Sequence, residues 1–165
     1  MIRPVALRAL LFAALVITLV IAPATFVSAD DHEGGQAQIE YRQKLMSAIG
    51  TNMGAIGDIL KNRLDMPGGV ANHANQMAAA AALIAPAFKK QLAEGATDAK
   101  VEIWSDWTGF EKAIADYESA ARALAAAAAS GDAGATGKAM RGLGKSCGGC
   151  HKPYRKPKEE SYKNQ

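Results

Sequence analysis

The sequence predicts an all-α protein folded as an antiparallel four-helix bundle. Three observations carry that prediction. Apolar side chains recur at alternating intervals of three and four residues over long stretches, which lines one face of a helix. Glycine and proline clusters cut the chain into four such stretches, at about Gln36–Lys61, Val70–Leu92, Ser105–Ala129 and Ala133–Arg155. No segment alternates with period two for long enough to make a strand.

Before the first stretch, Arg3 and Arg8 precede an uncharged apolar run that ends at Val27-Ser28-Ala29. That is the pattern of a secretory signal peptide, expected at residues 1–29. Pro23 and the small-residue exit favour cleavage over an uncleaved anchor, so no stable membrane anchor is expected afterwards. Cleavage after Ala29 leaves residues 30–165 of the 165, a normal length for one domain with one core. It removes two of 19 basic residues and none of 16 acidic ones, so the mature net charge is +1.

In the first stretch Ile39, Arg42, Met46, Ile49, Met53, Ile56 and Leu60 form one seam, with Arg42 its only charge. The second, from Val70 through Met77 and Ile84 to Phe88, is looser and rich in alanine, which allows close helix approach and leaves room elsewhere for something bulky. The third repeats the strict rhythm from Trp107 to Ala128, and Gly131 after Ser130 reads as its stop signal. In the fourth, Thr136, Met140, Leu143, Cys147, Cys150 and Tyr154 do the same. Short connections between such helices make antiparallel neighbours.

The fourth seam holds both cysteines, in the run Cys147-Gly-Gly-Cys150-His151. A disulfide across two intervening residues closes a strained loop, and a thioredoxin-type pair needs a βαβ context that is missing. Structural zinc needs four ligands, and beyond this run only His32, His73 and carboxylates are on offer. Covalent haem attachment needs what is present: two thiols for two vinyl groups, and an imidazole at the next position for the iron. Export agrees, because such attachment is performed outside the cytoplasm. One covalently bound haem c is therefore expected, with Cys147 and Cys150 as anchors and His151 as axial ligand, in the periplasm.

These residues resemble the class II cytochromes c, the group that includes cytochrome c prime. "YRQKLM" at Tyr41–Met46, "EIWSDWTGF" at Glu102–Phe110 and "CGGCHKPYR" at Cys147–Arg155 are similar to that family's first helix, third-helix entry and haem-binding helix. The resemblance implies a four-helix bundle over nearly all of the mature chain. It also implies that the residue four after the first-helix arginine, here Met46, lies over the distal haem face. In the low-spin branch that residue is a methionine ligand, whereas in cytochrome c prime an apolar residue leaves the iron five-coordinate.

The expectation is a one-electron carrier, not an enzyme, with its iron bound by His151 and Met46. The alternative is a high-spin cytochrome c prime that takes NO or CO at an open distal site. Peroxidase-like catalysis wants distal acid–base residues, and only Arg42 lies on the seam near Met46. A charge in an apolar seam is costly unless paired, so Arg42, with Gln43 nearby, is expected to bond a haem propionate. Arg155 shares the face of His151 and is expected beside it, as the resemblance also implies. Met53 is expected beyond the iron, Met77 and Met140 in the core, and Trp104 and Trp107 as anchors of the long loop. Lys152, Arg155, Lys156, Lys158 and Lys163 make the C-terminal end basic against Glu159 and Glu160. That patch suits a redox partner with an acidic docking surface; a homodimer is a second expected partner, and nucleic acid is not expected.

Overall fold

The computed structural model describes residues 29–164, with side chains from residue 33 onward. The expected signal peptide, apart from Ala29, lies outside the described residues. Four long helices follow in order, α1 (Ala29–Asn62), α2 (Gly69–Phe88), α4 (Trp107–Ala129) and α5 (Ala133–Tyr154), with a single turn, α3 (Glu102–Ser105), before α4. Two short 3₁₀ turns, Lys158–Glu160 and Tyr162–Asn164, close the chain. Helix α1 packs along α2, α2 along α4 and α4 along α5, which is the antiparallel bundle the spacing predicts.

The helix bounds follow local chemistry. Asp132 caps α5, its carboxylate accepting from Ala135 N at 2.9 Å, and Gly131 before it takes φ 75°, a left-handed stop after α4. The third segment is not one helix from Ser105. Asp106 leaves helical geometry at φ −126° and ψ 54° and caps α4 by accepting from Gly109 N at 3.1 Å, which separates α3 from α4. Helix α1 starts earlier than Gln36 and carries through Gly34 and Gly35.

The second segment ends at Phe88 and not at Leu92. The carbonyls there turn to a side chain on another helix. Arg42 donates from Nε to Ala87 O at 2.8 Å, from Nη1 to Leu92 O at 3.0 Å and from Nη2 to Lys90 O. Its guanidinium also lies 4.6 Å from the Phe88 ring centroid and 5.5 Å from that of Trp104. A cation at the negative end of a helix dipole is well placed. Burial lowers its pKa to about 10, which still leaves it charged at neutral pH.

The core fills the middle of the bundle. Ile56, Met77, Leu124 and Leu143 are fully buried, and Ala74 and Ala121 let α2 and α4 approach closely. At the opposite end Phe110 meets Phe88, Trp107 and Tyr154 with ring centroids 5.3 to 5.6 Å apart. Trp104 donates Nε1–H to Phe88 O at 2.7 Å, so it anchors the long loop as expected.

Candidate functional site

Helices α1 and α5 are the one adjacent pair of long helices that does not pack closely. Between them lies a cleft of about 570 Å³, well inside the roughly 300–1,000 Å³ range of small-molecule sites. Met46 and Met53 line it from α1, and Cys147, Cys150 and His151 from α5. The expected haem anchors and ligands are joined there by Arg42, Gln43 and Arg155, which line it as well.

The register across the cleft follows from one contact. A methyl built on Gly144 would lie 3.9 Å from Met53 Cε, so these two residues face each other. The helices run antiparallel. Two turns back along α1 from Met53 is Met46, and two turns on along α5 from Gly144 is His151. Met46 and His151 therefore stand at the same level on opposite walls. Met53 stands one turn before Cys147, at the end of the cleft, where the sequence puts it relative to Met46.

The chemistry of the α5 wall narrows what the cleft holds. The two thiols are not bonded to each other. Cys150 is pushed up to about 11, first by burial and then by Cys147, and burial raises Cys147 too. Such thiols rest protonated, unlike the low-pKa thiolates of redox pairs. Among the described residues no group of three or more His, Cys, Asp and Glu side chains is placed to hold a metal ion, which leaves zinc without a site there. His151 opens on the cleft, its pKa lowered by desolvation and then by the Arg155 cation. A neutral imidazole is the form that binds a metal.

Arg42 differs from expectation in its partners. A propionate is the partner expected for its charge; the protein itself supplies three carbonyls, using three of the five N–H donors. Gln43 donates Nε2–H to Ala96 O at 2.6 Å, tying α1 to the same loop. His73 is bound to Asn52 Oδ1 at 2.7 Å between α1 and α2, away from the cleft. Met77 is fully buried and Met140 packs against the core, both as expected. The side chain of His32 lies outside the described residues.

The sequence of the cytochrome c' family matches this chain over residues 37–155. The chain belongs to that family. Cytochrome c' of Rhodospirillum rubrum is 38% identical over 120 residues, covering 72% of this chain and 82% of that protein. Cytochrome c-554 of Cereibacter sphaeroides is 34% identical over 158 residues, covering 93% of this chain and 97% of that one. Among solved structures, cytochrome c prime from Shewanella frigidimarina aligns with a TM-score of 0.68 at 32% identity, over 74% of this chain and 97% of that chain.

Cytochromes c' carry one covalently attached haem c, and the residues here fit it: unpaired thiols, a neutral imidazole and a gap between two helices that otherwise have no reason to stand apart. Membership of the cytochrome c' family does not support placing the protein in the low-spin, methionine-ligated branch.

Two segments that sequence reasoning did not bring to the cleft contribute to it. Thr97 and Asp98 come from the loop before α3, and Tyr162 and Lys163 from the C-terminal end. Neither segment carries a periodic pattern, so the sequence showed a polar loop and a basic end but not where they fold. The long-range fold brings them in.

Proposed function

We propose that this cytochrome c' is an exported, periplasmic mono-haem protein, with Cys147 and Cys150 as thioether anchors, His151 as the axial ligand, and the α1 side open to a neutral diatomic gas. Bound there, the haem supplies a one-electron couple and an iron coordination position. The chain's own residues do the rest. His151 would hold the iron from the α5 wall, where desolvation and then the Arg155 cation favour its neutral form. Arg42 and Gln43 fix α1 to the loop after α2 and so hold the opposite wall at its distance; the two remaining N–H donors of Arg42 serve a propionate. Met46 and Ile49 line the α1 wall of the cleft, an apolar surface that would favour NO or CO over charged ligands at the iron.

The observation that carries this reading is the cleft between α1 and α5 with the CxxCH run along one wall. A cytochrome c prime variant from Alcaligenes xylosoxidans is known as a nitric oxide complex, and this chain aligns with it at a TM-score of 0.66 and 27% identity. That supports the open-site reading. A second reading, an electron carrier with Met46 as sixth ligand, is favoured by the level at which Met46 stands opposite His151. Reactions with an acidic redox partner through the basic C-terminal end fit either reading.

Optical spectra of the matured protein separate the two. The open site gives a broad high-spin ferrous band that CO shifts at once, and Met46→Leu leaves it high-spin. A sharp, split ferrous band that CO does not alter, and that Met46→Leu converts to high-spin, overturns the open-site reading in favour of ligation.

A further inference from the structure

The C-terminal end past Tyr154 does not trail into solvent. Arg155 pairs with Ala99 in an antiparallel bridge, and Lys100 N donates to Tyr154 O at 3.1 Å. Lys156 then donates from its backbone to Asp98 O at 2.8 Å and from Nζ to Thr97 O at 3.1 Å. Five residues on, the chain returns to the same place. Ser161 Oγ donates to Asp98 Oδ2 at 3.1 Å and Tyr162 N to Asp98 Oδ1 at 3.1 Å, so both carboxylate oxygens hold the segment.

Ser161 is 8% exposed and Thr97 5%, a degree of burial that a loose tail of polar residues does not reach. The result is that Tyr162 and Lys163 line the haem cleft together with His151 and Arg155. These residues lie past Arg155, where the match to the family ends. The closure is made by the residues that follow the matched region.

We propose that residues 156–164 form a strap over the His151 side of the haem cleft, with Asp98 as its latch and Tyr162 and Lys163 as positioning residues that set the environment of the cofactor. The strap acts on the redox couple in two ways, and both have the same sign. Excluding water from that side lowers the local dielectric, which disfavours the more charged ferric state. Lys163 stands exposed at the rim of the cleft, its Nζ 5.8 Å from the Tyr162 ring centroid, and a cation there also favours the ferrous state, less strongly as salt screens it. The strap therefore raises the midpoint potential. It does so whether or not Met46 binds the iron, and it rests only on His151 being the ligand on the α5 side.

The test uses holoprotein matured with its haem. Asp98→Ala and Asp98→Asn remove the same charge, but asparagine keeps an oxygen to accept from Ser161 or Tyr162. The difference between them therefore reads the strap and not the charge. Spectroelectrochemical titration is expected to give a lower midpoint potential for Asp98→Ala than for Asp98→Asn. Lys163→Gln is expected to fall below the unaltered protein, and more so at low ionic strength. Trypsin is expected to cut after Lys158 or Lys163 about tenfold faster in Asp98→Ala than in Asp98→Asn, since local opening governs cleavage.

Equal potentials for the two Asp98 variants, or equal cleavage rates, overturn the strap. An unaltered potential in Lys163→Gln at low salt removes Lys163 from the cleft. The cleavage rates do not depend on iron ligation, and the optical spectrum of the unaltered protein reports that separately. Failure of the strap and failure of the ligand assignment are thus distinguishable.

Discussion

The two helix pairs on opposite sides of the bundle are built to opposite ends. Between α2 and α4 the contact residues include Ala74, Ala78, Ala121 and Ala125, all buried, with Met77 and Leu124 filling the space between them. Between α1 and α5 the facing residues, Met46, Met53, Cys147 and Cys150 among them, are only partly buried, and the helices stand apart. Small residues on both partners permit close approach and a dry core, whereas walls that do not meet leave their side chains half-exposed and line a site. The same 3-and-4 spacing thus supports two different tasks, and how far the helices close on each other separates them.

The sharpest way to break this contrast is to damage the tight pair. Leu124→Ala removes a fully buried side chain where α2 and α4 already touch, so little collapse is available, and a loss of about 3 kcal/mol is expected in denaturant unfolding. If Leu124→Ala costs no more than a truncation on the cleft wall, the two seams are not different in kind. Ala121→Leu tests the same pair from the other side. Overpacking there is expected to cost about 2 kcal/mol.

Gly109 is a third tight point, at the foot of α4. A Cβ there would meet the Asp106 carboxylate and lie 2.6 Å from Tyr154 Oη, in the space used by the Tyr154 to Asp106 hydrogen bond of 2.7 Å. Gly109→Ala is expected to cost about 1–2 kcal/mol and to break that bond. On the open pair, Met46→Ala is expected to cost only on the order of 1 kcal/mol, because the side chain is partly exposed to the cleft. Its effect belongs in the haem spectrum, as set out above.

The Tyr154 bond also has a pH signature. Burial, then the hydrogen bond to Asp106 and its charge, raise the Tyr154 phenol from 10.0 to about 12. A raised folded pKa means that the unfolded chain releases its proton first as pH rises. The stabilisation is therefore complete below about pH 10 and is lost between about 10 and about 12. Denaturant midpoints measured across that window are expected to fall less steeply in Tyr154→Phe; an identical slope would detach the phenol from stability. Smallest of all is Lys112→Ala, which breaks an exposed pair with Asp116 at 2.6 Å and is expected to cost about 0.3 kcal/mol in the same assay.

Much of the α5 wall was legible in the residues, because a CxxCH run compresses its chemistry into five consecutive positions. Gly131 was equally local as the stop after the third stretch, and the start of the fourth followed. The end of α2 was not legible. Nothing in the run after Pro86 says that Arg42, far back on α1, takes the carbonyls a further turn would have used. An apolar seam marks a charge as unusual but does not name its partner.

The sequence by itself determined four helices, their buried faces, the haem-binding run and the family, since each depends on spacing within one segment. Only the tertiary structure decided which pair of helices stands apart, that Met46 and His151 share a level, and that the chain's end returns to Asp98. Those depend on contacts between residues distant in sequence, whose energies no local pattern records.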